Sequence, residues 1–249
     1  MSSAAVWSRR FAVFAATVAL LAVALARLRS LEPMAVLSVL GAALALSLAS
    51  LLLFATACAV IWRTGCRGVG EALGAFVVAA LTLAYPAYLA FEAVRLPVLA
   101  DISTDIADPP AFSLSSAATK ARRGYVPPGL PASARAAQAE AYPDVEPIVV
   151  DLDADEAFAL VLRTATARGW RIIDQLPLGG RAGQGHADFI DRSLVMGFDE
   201  DITVRLRPLA GQTRIDLRSA LRHGRHDFGA NAKRIEQFAE ELQSQLGEK

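Results

Sequence analysis

The sequence predicts a membrane α-helical anchor of three transmembrane helices followed by an α+β soluble domain. Hydrophobic residues make up 54% of the chain and charged residues only 20%, and the charges are unevenly distributed. Residues 1–100 contain seven arginines and three glutamates, whereas residues 101–249 contain 18 basic and 22 acidic residues, a net charge of about −4. The first part is therefore expected in lipid and the second in water.

Three apolar segments predict the spans of the anchor, which we place in residues 1–97. Phe11–Ala26 lies between pairs of arginines, Pro33–Trp62 contains no charged residue, and Ala72–Phe91 ends near two tyrosines. About 20 residues cross the hydrocarbon core, and arginine side chains at the ends of a short segment can reach the interface. We expect spans at about residues 10–29, 34–62 and 70–94.

The arginines that flank these segments predict an orientation. Four lie at one end of the anchor and three at the other: Arg9, Arg10, Arg63 and Arg67 against Arg27, Arg29 and Arg95. By the positive-inside rule this favours a multi-pass protein of the cell inner membrane with a periplasmic soluble domain. A cleaved signal peptide is an alternative for the first segment, because "SRRFAVF" begins an apolar run that ends in Ala-Leu-Ala.

Residues 98–146 are rich in proline and predict either a linker or a strap laid over the surface of the domain. Prolines recur in "DIADPP", "GYVPPGLP" and "YPDVEP", which disfavours regular secondary structure. Within this segment, Ala132–Ala141 is compatible with a short helix.

Residues 147–249 predict the α+β domain, with the element order β-α-β-β-β-β-α. "PIVVDL" is the first strand, and Asp153 or Asp155 can cap a helix over Glu156–Arg168 that ends at Gly169. "WRIIDQL", "GHADFIDRS", "DITVRLRPL" and "TRIDLRSALR" are the strands that follow. A helix over about Phe228–Leu246 completes the domain.

The last two strands predict a hairpin whose register follows from its turn. A turn at Ala210-Gly211 places Leu206 opposite Ile215 and Val204 opposite Leu217 on one face. The other face then carries the pairs Arg205–Asp216, Arg207–Arg214 and Thr203–Arg218. We therefore expect an antiparallel five-stranded sheet with two helices on its apolar face, an order of elements like the helix-grip fold, and arginines in solvent on its open face.

Several motifs of the soluble half resemble a bacterial and plastid family known as domain of unknown function 1499 (DUF1499). They are "DISTDIADPPAF", "YPDVEP", "GW", "GFDEDITVRL" and "IDLRSALRHGRHDFGANAKRIEQF", and the resemblance covers about residues 98–246. The family pattern is matched by Arg218, Ser219, Arg222, Gly224, Asp227, Gly229, Asn231, Arg234 and Ile235. Leu221 and His226 depart from it, since serine is common at both positions. The resemblance implies no known activity.

The segment "RSALRHGRHDFGANAKRI", residues 218–235, is the candidate functional surface. Asp227 is a natural N-cap, so the amides that follow it would lie at the positive end of the last helix. Gly229 would allow close approach of the backbone to a ligand, and arginines suit carboxylate or phosphate groups. The candidate ligand-binding residues are Arg218, Arg222, Arg225, Asp227, Gly229, Asn231 and Arg234. In the alternative interpretation, Asp227 only caps the helix and the arginines pair with carboxylates such as Asp216.

Metal binding and catalysis are disfavoured in this segment, and we predict no catalytic residue, metal or cofactor. His223, His226 and Asp227, with the distant His186, could be grouped as ligands, but a turn does not give the two nearby histidines a shared face. Ser219, a histidine and Asp227 could form a triad. However, Ser219 alternates to the inward face of its strand, and no Gly-x-Ser-x-Gly elbow is present.

These observations favour a non-enzymatic integral membrane protein that presents an extracytoplasmic α+β domain for binding or scaffolding in the cell envelope. The expected partners are the lipid bilayer and either an envelope protein or an anionic ligand, and no nucleic acid. The alternative is a membrane-anchored hydrolase or transferase that uses residues 216–234. A transporter fits poorly, because the predicted spans lack central polar residues.

Overall fold

The structure is a computed structural model that describes residues 1–178 and 183–247. The chain divides into two compact units. The first comprises Met1–Phe91 with Leu194–Phe198, and the second comprises Glu92–Ser193 with the chain from Asp199 onward.

Three long apolar helices form the amino-terminal part: Ser3–Arg27 (α1), Pro33–Thr64 (α2) and Val69–Arg95 (α3). Each is long and apolar enough to cross a membrane. α2 and α3 cover their predicted spans, and α1 covers the predicted span of residues 10–29 except for its last two residues. α1 begins before its expected start because Ser2 caps it, with Ser2 Oγ accepting a hydrogen bond from the Ala5 amide at 3.4 Å. The Ser2 amide in turn donates to the Arg67 carbonyl at 2.9 Å.

Small side chains mediate the packing of these helices. Ala5, Ala57 and Ala72 form one buried cluster, and the next cluster along the bundle is also made of alanines. Between α1 and α2, Ser8 Oγ donates to the Ser50 carbonyl at 2.9 Å and Ser50 Oγ donates to the Ser8 carbonyl at 2.8 Å. Close approach through small residues, with hydroxyls satisfied across the contact, is typical of helices packed in lipid.

The second unit contains a sheet and four helices in its described residues. In chain order they are β1 (Asp101–Ser103), α4 (Ser116–Ala121), α5 (Ala132–Ala141), β2 (Ile148–Val150), α6 (Ala154–Ala167), β3 (Arg171–Leu176), β4 (Gly185–Arg192), β5 (Asp199–Pro208), β6 (Thr213–Leu221) and α7 (Ala230–Gly247). α5 has the predicted bounds. α6 is capped by Asp153, whose Oδ1 accepts from the Glu156 amide at 2.8 Å.

The predicted five-stranded sheet is corrected to six strands. The strand order is β1-β6-β5-β4-β3, and β2 pairs with the other half of the same edge of β6. The additional strand is β1, which pairs with β6 so that Ile102 lies opposite Ser219. Three residues before a proline-rich segment are too few for an alternating pattern to identify them as a strand.

The predicted register of the β5–β6 hairpin is confirmed. Leu206 lies opposite Ile215, Val204 opposite Leu217, and the three predicted polar pairs occupy the other face. Gly211 in the turn has φ 78°, which a residue without a Cβ adopts at little cost.

The apolar face of the sheet packs against α6 and α7 in one hydrophobic core, as predicted. Trp170 stands at its centre, 4% exposed, with its ring stacked on Phe238 at a centroid distance of 5.0 Å and near Phe189 at 5.8 Å. Aromatic pairs at such distances stabilise the fold beyond the contribution of the apolar surface area that they bury.

The other face of the sheet is not open to solvent, and the expectation of solvated arginines there is wrong. Residues 104–131, which we call the strap, cover it and include α4. Phe112 and Ala118 of the strap are buried, and Ala118 packs with Ile173 and Ile190 of the sheet. The strap therefore belongs to the folded domain.

Candidate functional site

The seven candidate residues do not converge on one surface. Arg218 and Ser219 are neighbours on β6, and their side chains therefore point to opposite faces of the sheet. Arg218 donates to Pro128 of the strap and Arg222 to Asp201 of β5, whereas Asp227, Asn231 and Arg234 lie where α7 begins. Arg225 is exposed between these two groups. We call Leu221, residues 226–231 and Arg234, around the start of α7, the corner.

Asp227 caps α7, and its carboxylate occupies the position that an anion would take. Its Oδ1 accepts from the Gly229 amide and its Oδ2 from the Asn231 amide, both at 3.0 Å. The Ala230 amide donates to the Asp227 carbonyl at 3.0 Å, and the Phe228 amide donates to His226 Nδ1 at 3.0 Å. The amides at this helix end thus have protein acceptors.

The backbone of the corner is held in an uncommon conformation. Phe228 has φ 53° and Gly229 has φ 81°, so a residue with a bulky side chain adopts the left-handed region. The Phe228 ring stacks on the His226 ring at a centroid distance of 4.5 Å. A non-glycine residue in this region costs on the order of 1–3 kcal/mol, which the surrounding contacts must offset.

A buried polar cluster lies beneath the corner on the apolar side of the sheet. Ser219 Oγ donates to Asn231 Oδ1 at 2.8 Å, and Arg234 Nη1 donates to both of these oxygens at 3.0 Å. Arg234 also pairs with Asp191 at 2.7 Å and with Glu200. Ser219 is 0% exposed, and its hydroxyl serves this cluster as a donor and an acceptor.

The corner forms hydrogen bonds with the segment that follows α3. The Asp227 amide donates to the Leu99 carbonyl at 2.8 Å. The Ala100 carbonyl accepts from the Leu221 amide at 2.8 Å and from Asn231 Nδ2 at 3.1 Å. The φ of Gly229, 81°, favours glycine, and a Cβ at this position would lie 3.0 Å from Leu96 Cδ1, so that side chain would have to move.

The electrostatic environment of the corner is acidic. Burial raises the pKa of the Tyr142 phenol to about 12, and the negative charges of Asp227, Glu236 and Glu92 act in the same direction. Burial also raises the pKa of Asp227, although the two amides that it accepts oppose this shift. A cluster of carboxylates makes this helix end less favourable for an anion than its dipole alone would.

On the strap side, Arg218 connects the first strand to the strap. Its guanidinium binds Asp101, with Nη2 at 2.6 Å from Oδ2, and donates to the carbonyls of Pro110 and Pro128 at 3.2 and 2.6 Å. Two guanidinium groups lie over the Phe112 ring, with the Cζ of Arg218 4.9 Å and the Cζ of Arg122 5.1 Å from the ring centroid. All three guanidinium nitrogens of Arg218 thus donate to protein oxygens.

Arg122 of the strap is the most deeply buried arginine among the described residues of this interface. It is 1% exposed, binds Asp188 of β4, and donates through Nε to Asp201 of β5 at 3.2 Å. Arg222 binds the same Asp201 at 2.7 Å. Burial alone would raise the pKa of Asp188, but His186 and Arg122 outweigh it and hold this pKa below its usual value.

A second ionic group covers the turn end of the β5–β6 hairpin. Three arginines of the sheet share a buried aspartate of β6 and a half-buried aspartate of the strap; these are Arg205, Arg207 and Arg214 with Asp216 and Asp105. Burial opposes ionisation of Asp105, but the Asp108 amide and the Arg207 guanidinium hold its pKa below the usual value. This group explains why the facing pair Arg207–Arg214 is tolerated.

The chemistry available to these groups is limited by their mutual contacts. Residues 1–178 and 183–247 contain no group of three or more His, Cys, Asp or Glu side chains arranged for a metal ion. Among the histidines, His226 accepts the Phe228 amide and His186 lies 2.9 Å from Asp188. Anion binding by the seven candidate residues stays a prediction, for which Arg225 is the exposed arginine.

Sequence reasoning missed the partners of Arg218 and Arg222. Arg218 binds Asp101 and Arg222 binds Asp201. Arg122 of the strap binds Asp201 as well and also binds Asp188. None of these four partner residues was a candidate. One sequence signal could have identified Asp101 as a partner of these arginines. It is the spacing of acidic residues in "DISTDIAD", because one face of the predicted sheet carries arginines.

Comparison with known proteins places most of the soluble half in one family. Residues 101–242 match the family model described as "Protein of unknown function (DUF1499)". The match begins at β1 and ends within α7, so it includes the strap and the corner. No curated protein and no solved structure matches the chain.

Proposed function

Because the chain belongs to the DUF1499 family, whose description states no function, we propose a function from its own structure. We infer a non-catalytic, membrane-anchored protein that holds its α+β domain at the periplasmic surface of the inner membrane. There the domain binds or scaffolds another component of the cell envelope.

The observation that carries this proposal is the short, ordered connection after the third helix. α3 ends at Arg95, and Leu99 is already buried in the core of the domain at 3% exposure. The corner then binds the carbonyls of Leu99 and Ala100 through three hydrogen bonds. A connection of this kind suits a protein whose domain must remain close to the membrane, whereas a long linker would let it diffuse.

The anchor supports the membrane part of the proposal. Its three helices are long and apolar enough to cross a bilayer, and their buried serines bind each other. The arginine distribution favours a cytoplasmic location for the end that contains Arg9, Arg10, Arg63 and Arg67. The chain that follows α3 then begins on the periplasmic side.

An enzymatic role for residues 216–234 has less support from the geometry. Ser219 is enclosed by Asn231 and Arg234, and Asp227 is engaged by two amides. An anionic partner at this surface would contact Arg225, because Arg218, Arg222 and Arg234 already bind carboxylates. The ligand part of the proposal therefore rests on Arg225.

The proposal is tested in cells by fusion and crosslinking. Alkaline phosphatase fused after Lys249 should be active, and a photoreactive residue at exposed Leu114 or Val149 should give a discrete adduct with an envelope protein. Six Gly-Ser residues inserted between Pro97 and Val98 should weaken that adduct while the domain stays folded. Cytoplasmic location of the fusion, or an adduct that the insertion leaves unchanged, would contradict the proposal.

A further inference from the structure

A groove runs along one face of α1 within the anchor. It has a volume of about 570 Å³ and is lined by Met1, Val6, Arg9, Arg10, Val13, Phe14, Thr17 and Glu71. The α1 residues from position 6 to position 17 recur every three or four positions, so they form a single helical stripe. Glu71, in the first turn of α3, closes the groove on its other side.

The groove changes in chemistry along α1. Arg9 is bound to Glu71, whereas Arg10 is exposed and lies over the Trp7 ring with its Cζ 5.1 Å from the ring centroid. Deeper along α1 the walls are apolar, with Val13 48% and Phe14 59% exposed. Thr17 adds no free donor, because its hydroxyl donates to the Val13 carbonyl at 2.9 Å.

The dimensions of the groove fit one leaflet of a bilayer. Arg10 and Thr17 are seven residues apart, which corresponds to roughly 10 Å along the helix. One leaflet contributes about 15 Å of hydrocarbon, so a ligand with its charged part at Arg10 has its chains beside Val13 and Phe14. Tryptophan and arginine at the head of such a stripe are typical of the membrane interface.

From this arrangement we propose that the groove is a binding site for an anionic phospholipid. The phosphate binds Arg10 through charge-assisted hydrogen bonds, and an acyl chain lies along Val13, Phe14 and Thr17. Because Glu71 neutralises Arg9, Arg10 is the groove-lining arginine that remains for a phosphate. The inference rests on the membrane anchoring proposed above.

The test titrates the full-length protein, purified in non-ionic detergent, with phosphatidylglycerol or phosphatidylcholine and counts bound lipids by native mass spectrometry. Wild type should bind one phosphatidylglycerol in preference to phosphatidylcholine. Arg10→Gln should reduce that preference roughly tenfold, the order expected when one charge-assisted contact is lost. Arg63→Gln is the matched control, because it removes an exposed arginine near the end of α2 that does not line the groove. It should change the preference by less than about twofold.

A second pair of variants tests the apolar part. Val13→Trp should fill the groove and abolish binding of both lipids, whereas Leu52→Trp, at an exposed position of α2, should not. Equal losses in Arg10→Gln and Arg63→Gln, or no preference in wild type, would overturn the site. So would a dimer that Val13→Trp dissociates, because a second copy would then occupy the groove.

Carbonate extraction of the cell membranes, done before purification, separates this inference from the proposed function. Membranes washed with alkaline carbonate should retain the wild type and all four variants. Release by carbonate would remove the membrane anchoring and the lipid site together. Retention without lipid preference would remove only the lipid site.

Discussion

The two faces of the sheet bury their side chains by different means. On one face, apolar residues such as Ile202 and Leu217 meet α6 and α7. On the other, Thr203 and Arg218 alternate with them and are also buried, beneath the strap. The apolar residues of the first face are enough to identify it as a buried face. The second face is buried only because the strap supplies carboxylates and carbonyls that bind its polar side chains. A polar face in an alternating strand therefore predicts a partner or solvent, and not solvent alone.

The largest effect is expected on the apolar face. Trp170→Ala removes a side chain that stacks on Phe238, and should lower the free energy of unfolding by about 3–5 kcal/mol. Trp62→Ala is the control, because Trp62 is 92% exposed. Both are measured by chemical denaturation of the full-length protein in detergent. A loss below about 1 kcal/mol for Trp170→Ala would show that this core is not closely packed.

The polar face should be nearly as sensitive at its buried arginine. Arg122→Met leaves Asp188 and Asp201 without one partner and should cost roughly 3 kcal/mol, the lower end for a broken buried pair, because Arg222 and His186 remain. The exposed neighbour Arg123 offers the matched variant Arg123→Met, with an expected change within about 0.5 kcal/mol. Equal effects in the two variants would mean that the strap does not cover this face.

The two faces should respond differently to pH. The pKa of Asp188 is lowered in the folded protein, so its ionised form stabilises the fold above about pH 4 and this contribution is lost as the pH falls below it. Asp188→Asn should cost on the order of 2 kcal/mol at pH 7 and progressively less towards pH 3. The cost of Trp170→Ala should stay constant over the same range. Unfolding of each variant and wild type at four pH values checks this.

The contrast between the two faces of the sheet also explains which parts of the fold the sequence predicts. Three features were predictable, since each depends on local periodicity or on a turn. They are the register of the β5–β6 hairpin, the helix α5, and the packing of α6 and α7 on the sheet. β1 was not predictable, and the sequence left open whether the proline-rich segment is a linker or a strap. Both depend on contacts far away along the chain, such as Asp101 with Arg218, 117 residues apart. For the candidate site, the cap at Asp227 was predicted, but the partners of the arginines were not.

At the corner a smaller effect is expected. Asp227→Ala removes the acceptor of two amides and should cost about 0.5–2 kcal/mol, whereas Asp227→Ser keeps one acceptor and should cost less. The measurement is the same denaturation, combined with the crosslinking assay in cells. If Asp227→Ser retained wild-type stability but lost the crosslink completely, Asp227 would have a role beyond capping.

The smallest effect is expected at Arg225, which is exposed and belongs to neither face. Arg225→Gln should change the free energy of unfolding by less than about 0.5 kcal/mol. If an anion binds the corner, this variant should reduce the stabilisation that phosphate gives in a thermal shift at low salt. If phosphate does not stabilise the wild type, anion binding at this surface is excluded.

Amide hydrogen exchange of the full-length protein tests most directly whether the strap is part of the folded domain. The Thr104 amide donates to the Leu217 carbonyl at 2.9 Å and the Ser113 amide to Asp188 Oδ2 at 2.8 Å. We predict protection at both amides within about tenfold of that in β5 and β6, because they open only when the domain unfolds. Exchange at the rate of an unstructured peptide, with β5 and β6 still protected, would contradict the account and make residues 104–131 a linker.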